Sequence, residues 1–431
     1  MPNVSEEGLI RGIRRWDLVA ITINGIIGAG IFGLPSEVFS KIGSYSLIAF
    51  GACALVVTLI ILCFAEVGSR FDQTGGPYLY TREAFGETAG FGIGWLIWLA
   101  RLTAFAANSN LLVIYVSYFW PGAVSPFWRG FLIILIVTLL ATVNLLGVKQ
   151  AAIVSNLFTI GKLIPMLIFI AAGLFFLNPQ AFALGPAPTT AKFSQSVLVL
   201  IYAFTGFEMA TIPAGEVKNP QRYLPRALII AMGVVALTYI LIQVVCIGTL
   251  PELAQSKKPL ADAGTRFLGL AGGVIISAGA IISITGNLNI ILLSGSRIPF
   301  AMAEQRQLPS ILGRVHRRFS TPHISILVTA ALMMIFALNT SFVAALTISA
   351  IARLVTYAAT CASLPVLRHR KSEASQAAFR MPGGTAVAIL SLGLIVWLLA
   401  NVEWYQAKVA TIAAVVGLLI FFSYKLYLRS S

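Results

Sequence analysis

Three glycines, Gly25, Gly28 and Gly30, lie close together inside an apolar segment near the start of the chain. Each glycine in a helix interior costs about 1 kcal/mol relative to alanine, so a continuous helix is poorly sustained there. A helix that stops inside a bilayer leaves unpaired N–H and C=O groups, which are tolerated only where they line a cavity or are buried in protein. The N–H ends of helices hold anions and the C=O ends hold cations. The spacing therefore predicts a central binding site for a small charged molecule.

A second apolar segment is interrupted in the same way, with Gly206 and Glu208 in its middle. Two interrupted segments at matching positions of two halves are typical of membrane transporters built from inverted repeats. The alternative is that each glycine cluster only allows close packing of helices.

Ionisable residues also lie within apolar segments, where each costs at least about 2.5–3.5 kcal/mol. Lys162 could load and release a proton, or it could be a permanently charged strut between helices. Glu208 could take part in proton transfer or gating, or accept hydrogen bonds that fix the interrupted backbone. Arg101 could contact an acidic substrate side chain, pair with Glu208, or extend away from the site. Arg353 has the same ambiguity.

The composition predicts an all-α polytopic membrane protein. The chain has 431 residues, of which 58% are hydrophobic and 10% are charged, whereas soluble proteins carry about 25% charged residues. The net charge of +15 does not indicate a nucleic-acid partner, because lysine and arginine gather in the cytoplasmic loops of membrane proteins and contact lipid headgroups. The expected partner is the lipid bilayer, with no nucleic acid.

Twelve transmembrane helices are predicted from the runs of about 20 apolar residues. With the N-terminus in the cytoplasm, most of the 30 lysine and arginine residues fall on the cytoplasmic side, which predicts that both termini are cytoplasmic in a multi-pass cell-membrane protein. No cleaved signal peptide is expected. The predicted spans are 17–36, 44–68, 88–119, 129–147, 152–177, 193–214, 226–249, 269–299, 323–338, 342–365, 385–402 and 405–427.

Several motifs occur in a characteristic order. They are GAGIF at 28–32, EVGSR at 66–70 with GGPY at 75–78, GFE at 206–208 with EVKNP at 216–220, and SGSR at 294–297 leading to Leu308-Pro309. In these motifs the chain resembles the amino acid–polyamine–organocation superfamily, and within it the bacterial amino acid permeases. The resemblance covers nearly the whole chain.

The resemblance implies a five-plus-five inverted repeat in which helices 1 and 6 are broken. A cytoplasmic segment, 1–16, would precede a transport core, 17–365, composed of the repeats 17–177 and 193–365. Two accessory helices, 385–427, would follow. Substrate would bind between helices 1, 3, 6, 8 and 10.

Carried over to this chain, the resemblance places the substrate carboxylate at the N–H end formed by Gly28, Ala29 and Gly30. Many relatives have serine where this chain has Ala29, so a hydroxyl contact to the carboxylate is absent while the backbone N–H remains. The dipoles of the helix ends agree with this placement.

The substrate amino group would meet the carbonyl ends represented by Ile26, Tyr202 and Thr205. Asn287 and Asn289 of span eight are candidates for lining the pathway, although helix packing explains them about as well.

The resemblance also bears on the ionisable residues. Lys162 lies where sodium-coupled proteins of the same architecture bind a cation, which favours a sodium-independent mechanism. Glu208 is similar to a glutamate for which a pH-sensing role is proposed in acid-resistance antiporters of the superfamily. Arg101 aligns near a position that lines the pocket.

The sequence thus predicts a secondary transporter of amino acids that works by alternating access, either as a proton symporter or as an amino acid exchanger. Neutral amino acids are the default substrates, and Arg101 keeps acidic amino acids as an alternative.

No cofactor or metal is expected, and His316, His323 and His369 do not pair at metal-ligand spacing, which disfavours a membrane enzyme. A channel would need filter loops, and none is visible. A non-transporting sensor would keep these motifs, and saturable uptake would discriminate it. The oligomeric state is not predicted.

Overall fold

The computed structural model describes residues 14–72, 75–146, 162–212, 214, 217–316, 319, 321–370 and 377–430. Residues 1–13 of the predicted cytoplasmic segment, 152–161 of the fifth predicted span and Glu216 of one motif lie outside this part of the chain. The described helices are α1 (Arg15–Ile26), α2 (Gly30–Ile42), α3 (Ser46–Gly68), α4 (Pro77–Phe85), α5 (Glu87–Val116), α6 (Pro126–Leu146), α7 (Lys162–Phe176), α8 (Thr190–Phe204), α9 (Pro220–Thr249), α10 (Pro259–Glu304), α11 (His323–Asn339), α12 (Phe342–His369), α13 (Gly384–Ala400) and α14 (Trp404–Ser430).

Seven helical stretches in the described part of the chain are long and apolar enough to cross a bilayer. Shorter apolar helices accompany them, and large side chains such as Phe175 and Leu270 are exposed on the outside of the bundle. An apolar exterior of this kind suits lipid rather than water. The protein is therefore a multi-pass helical membrane protein. The seven stretches are Gly30–Gly68, Glu87–Val116, Pro126–Leu146, Thr190–Ala210, Pro220–Thr249, Pro259–Glu304 and Phe342–His369.

The helix α5 lies at the centre of one side of the bundle, where it packs against α10, α11 and α12. On the other side, α1 and α3 pack against α9, and α2 packs against α8. This arrangement brings the interruption between α1 and α2 and the segment after α8 next to α5, α10 and α12.

The longest helix, α10, bends at Gly269, whose φ of 65° lies in the left-handed region that favours glycine. The eighth predicted span, 269–299, begins at this bend. The short helix α4 lies in a segment between two predicted spans and is amphipathic rather than apolar.

A buried cluster ties together α3, α12 and the segment before α13. The Glu66 carboxylate, which is fully buried, accepts hydrogen bonds from Arg368 Nε and Nη2, both at 2.6 Å, and from the backbone N–H of Met381 at 3.0 Å. Paired, bidentate geometry of this kind is the strong form of a buried ion pair. It fixes the position of α12, which carries part of the candidate site.

Candidate functional site

The first interruption separates α1 from α2 by only three residues. Ile27 is extended, with φ −70° and ψ 93°, so α1 ends there, and α2 begins after Ala29 with no side chain capping its N–H groups. The end of α1 thus presents C=O groups and the start of α2 presents N–H groups, side by side. These two ends can bind groups of opposite charge.

Lys162, the first described residue of α7, occupies the carbonyl end of α1. Its ammonium group donates to the carbonyl oxygens of Asn24 at 2.9 Å and Ile27 at 2.8 Å, and the side chain is buried. A single positive charge therefore joins α7 to the end of α1 and satisfies two carbonyls that the helix leaves free.

The second interruption follows α8. Thr205 is extended and Gly206 has φ 111°, after which a short 3₁₀ turn, Phe207–Ala210, begins. The left-handed conformation favours glycine at position 206, and a Cβ there would collide with the carbonyl oxygen of Gly25. The two interruptions are thus in direct backbone contact, which only glycines allow.

Tyr239 of α9 links the same two interruptions. Its hydroxyl lies 3.2 Å from the carbonyl oxygen of Ile26 and 3.2 Å from that of Ala203, so it can donate to either. Nothing in the sequence pointed to this residue, because it lies in an apolar helix far along the chain from both interruptions.

A small cavity lies between the interrupted segments. The structure places around it the eight residues predicted to bind substrate, together with Arg353 and several apolar side chains. The predicted residues are Ile26, Gly28, Ala29, Gly30, Arg101, Tyr202, Thr205 and Asn287. The other two predicted residues, Lys162 and Glu208, are not part of the lining. Glu208 is bonded to Arg101 and Arg353, which do line the cavity, whereas Lys162 is bonded to Asn24 and Ile27, which do not.

The cavity is small. Its volume is about 30 Å³, which leaves room for about two water molecules. Asn287 donates to Asn108 Oδ1 at 3.2 Å, and Asn108 in turn donates to the Tyr202 hydroxyl at 2.5 Å. This chain of polar side chains links α5 to α8 and α10 beside the cavity.

Asn289, the other asparagine proposed for span eight, is fully buried and accepts a hydrogen bond from Asn144 of α6 at 3.0 Å. It does not line the cavity. Of the two asparagines, only Asn287 faces the candidate site.

The buried charges meet next to the cavity. Arg101 of α5 and Arg353 of α12 both form ion pairs with the same oxygen of Glu208, Oε1, and the distance from Arg101 is 3.3 Å. The other oxygen, Oε2, accepts from the Tyr357 hydroxyl at 2.8 Å and from the Gly206 N–H at 2.9 Å. Glu208 therefore both holds the second interruption and joins it to α5 and α12.

Tyr357 had no place in the sequence-based predictions. It follows Arg353 by four residues on α12, and this spacing puts both side chains on one face of a helix. From the sequence alone, this spacing indicates that Tyr357 lies beside Arg353.

Among the described residues, no group of three or more His, Cys, Asp or Glu side chains is arranged to hold a metal ion.

Gly28 packs closely against the amide group of Asn287 at the edge of the cavity, and this gives a test of the site. A Cβ at position 28 would overlap the amide group of Asn287. Overpacking of this kind costs about 1–3 kcal/mol, so Gly28→Leu should weaken substrate binding about 10- to 100-fold in a direct binding assay. The matched control is Gly51→Leu in α3, because an added Cβ there has no neighbour within 4 Å. Wild-type affinity in Gly28→Leu would contradict the site.

Comparison with known proteins gives consistent results. A model of the amino acid permease family matches residues 13–422. The chain is 32% identical over 350 residues to the serine/threonine exchanger SteT of Bacillus subtilis strain 168, covering 78% of each protein. It is 27% identical over 444 residues to the branched-chain amino acid permease BcaP of the same organism, covering 97% of this chain and 94% of the relative. The methylthioribose transporter of that organism is 27% identical over 438 residues.

Proposed function

The chain belongs to the amino acid permease family, and we propose that it is a secondary active transporter of amino acids that is coupled to protons and independent of sodium. The observation that carries the proposal is the cavity between two helix interruptions, with free N–H groups on one side and carbonyl groups on the other. A zwitterion has the matching arrangement of one anionic and one cationic group.

The main-chain groups of the substrate are assigned to the two ends. The carboxylate binds the N–H groups at Gly28, Ala29 and Gly30, where α2 begins, and the amino group binds carbonyls at Ile26 and around Tyr202, where α1 and α8 end. The Thr205 hydroxyl donates to the Tyr202 carbonyl at 2.8 Å and keeps that carbonyl turned toward the end of α8.

The architecture proposed for this function has twelve spans in a five-plus-five inverted repeat. In it, α1 and α2 form the broken first span, and α8 with the turn Phe207–Ala210 forms the broken sixth. The remaining spans are α3, α5, α6, α7 and α9 to α14. Four spans, α3, α5, α6 and α7, lie between the two breaks, and four more, α9 to α12, follow the second break, which supports two halves of five spans each. Both termini would then be cytoplasmic.

Lys162 is the basis for proposing independence from sodium. Its ammonium group already neutralises the carbonyl end of α1, at 2.8 and 2.9 Å from two backbone oxygens. A cation held by the same carbonyls would be adjacent to this charge, and like charges repel. Lys162 and Glu208 are the candidates for coupling and gating, since both connect helix interruptions to neighbouring helices.

Alternating access is supported by the small volume of the cavity, about 30 Å³. A site with room for about two water molecules is too small to hold an amino acid, so substrate must bind in another conformation. The contacts that would have to change include the hydrogen bonds of Asn108 with Tyr202 and Asn287.

Uptake into proteoliposomes tests the proposal. A panel of radiolabelled amino acids is offered with an inward pH gradient, without internal substrate, and with sodium replaced by choline. We expect saturable accumulation that a protonophore abolishes. An absence of saturable uptake for every amino acid would contradict transport, and a requirement for sodium would contradict the role given to Lys162.

The second candidate is exchange of one amino acid for another. It is favoured by the similarity to a protein named as a serine/threonine exchanger. Exchange predicts that uptake appears only after the vesicles are loaded with an amino acid, and that a pH gradient alone drives none. The same vesicles therefore decide between the two modes.

A further inference from the structure

Two buried arginines share a single carboxylate at the edge of the cavity. Arg101 is 3% exposed, Arg353 is 6% exposed, and Glu208, to which both are paired, is 4% exposed. Both arginines line the cavity, whereas Glu208 lies behind them. The two arginines and Glu208 together carry one net positive charge.

The Glu208 carboxylate has no capacity left for further donors. Its Oε1 atom accepts from both guanidinium groups, and its Oε2 atom accepts from the Gly206 N–H and the Tyr357 hydroxyl. A carboxylate has about four acceptor positions, and all of them are used. Glu208 therefore cannot satisfy the remaining donors of the two arginines.

Both guanidinium groups keep free donors. A guanidinium has five N–H donors, and the only partner of Arg101 among the described residues is Glu208. Arg353 donates to Glu208 and, at 3.4 Å, to Ser349 Oγ, and it also interacts with the Tyr357 hydroxyl, which still leaves some of its five N–H groups without a partner in the described part of the chain. Since both side chains line the cavity, these donors are available to a molecule bound there.

The net positive charge of the two arginines and Glu208 is also not neutralised by a further carboxylate in the cavity lining. No carboxylate belongs to the described lining of the cavity. An uncompensated charge buried in a low-dielectric site is costly. A neutral amino acid adds no net charge and would leave the excess positive charge in place, whereas an amino acid with a second carboxylate would neutralise it.

We infer that this cavity selects an acidic amino acid, whose side-chain carboxylate binds Arg101 and Arg353 while its main-chain groups bind the two helix interruptions. The inference rests on the proposed transport function and narrows its substrate class. Arginine suits this role because its planar donors match a carboxylate in bidentate geometry. The arrangement favours this class over the neutral amino acids expected from the sequence.

Binding to the purified full-length protein tests the inference. Affinities for glutamate and aspartate are compared with those for glutamine and asparagine, which have nearly the same shape without the charge. Hydrogen bonds to charged groups discriminate by about 10- to 100-fold, so we expect the acids to bind more tightly than their amides by this factor. Arg101→Gln and Arg353→Gln should each reduce the preference for the acid.

The matched control is Arg297→Gln. Arg297 is another partly buried arginine, but it donates to Leu293 O at 2.9 Å and Ser296 Oγ at 3.0 Å within its own helix and does not line the cavity. The ratio of acid to amide affinity should be unchanged in this variant. The wild-type ratio decides the question even if an arginine variant fails to fold.

Three outcomes would overturn the inference. Amides or other neutral amino acids that bind as tightly as the acids would leave the transport proposal intact and remove the acidic selectivity. Binding of neutral amino acids that requires chloride and is lost in gluconate would place a free anion, not a substrate side chain, at the two arginines. Failure to bind any amino acid would remove the proposed function itself.

Discussion

Replacing Lys162 with methionine is expected to reduce the initial rate of amino acid uptake by about 100-fold or more. Methionine fills a similar volume but cannot donate, so the carbonyls of Asn24 and Ile27 lose the ammonium group that lies 2.9 and 2.8 Å away. A buried acceptor left without a partner costs about 1–3 kcal/mol. The substitution leaves two carbonyl oxygens without a partner at the same time. The measurement is uptake into proteoliposomes at matched protein content.

Lys192→Met is the control for this variant. Lys192 lies near the start of α8 and is exposed, so its replacement should leave uptake close to the wild-type rate. Proton-driven accumulation at the wild-type level in Lys162→Met would remove this lysine from the mechanism.

The way in which Lys162→Met loses activity distinguishes a proton-carrying role of the lysine from a structural one. If uptake by exchange persists while the pH gradient no longer drives accumulation, Lys162 carries the coupled proton. If exchange and accumulation are lost together, the ammonium group acts as a strut that holds the end of α1. Lys162→Arg, which keeps a positive charge but presents a different shape, should recover part of a strut function.

The helical, membrane-spanning character of this protein could be predicted from the sequence because it depends on local composition. Long apolar runs with few charges have no stable alternative to helices in a bilayer. The glycines at positions 25, 28 and 30 likewise act locally, since each weakens a helix in any context. They lie in the segment where α1 ends at Ile26 and α2 begins at Gly30.

The partners of the buried charges could not be read from the sequence. Pairing of Arg101 with Glu208 was one of several options for that arginine, and Arg353 carried the same options. The outcome depends on how α5 and α12 are rotated toward the segment after α8, which is set by packing among distant helices. Residues that act only through such packing, such as Tyr239, leave no local signal at all.

The small volume of the cavity is a second property that could not be predicted from the sequence. The residues predicted to bind substrate surround the cavity, yet its volume is only about 30 Å³, and two of its lining residues, Tyr202 and Asn287, are both hydrogen-bonded to Asn108. Side-chain positions of this kind follow from the conformational state of the whole bundle.

Replacing Glu208 with glutamine is expected to lower the free energy of unfolding by about 3–5 kcal/mol, because it leaves two buried arginines without a counter-charge. Removing one charged partner of a buried ion pair lowers stability far more than removing both partners, because the remaining charge is left buried without compensation. The double variant Glu208→Gln with Arg353→Gln should therefore be more stable than Glu208→Gln alone, since its net charge returns to that of the wild type. Thermal unfolding in detergent micelles measures both effects.

The comparison for Glu208→Gln is Glu37→Gln, which removes a surface ion pair. Glu37 lies 3.3 Å from Lys41 with both side chains partly exposed, and such pairs contribute about 0–1 kcal/mol. Its unfolding temperature should stay close to that of the wild type.

If Glu208→Gln is as stable as Glu37→Gln, the charges of the two arginines must be compensated by something other than Glu208. The net positive charge that favours an acidic substrate would then no longer follow. If instead Glu208→Gln is destabilised and is restored by added glutamate more than by glutamine, the substrate carboxylate supplies the missing charge, because a ligand that binds only the folded state stabilises it.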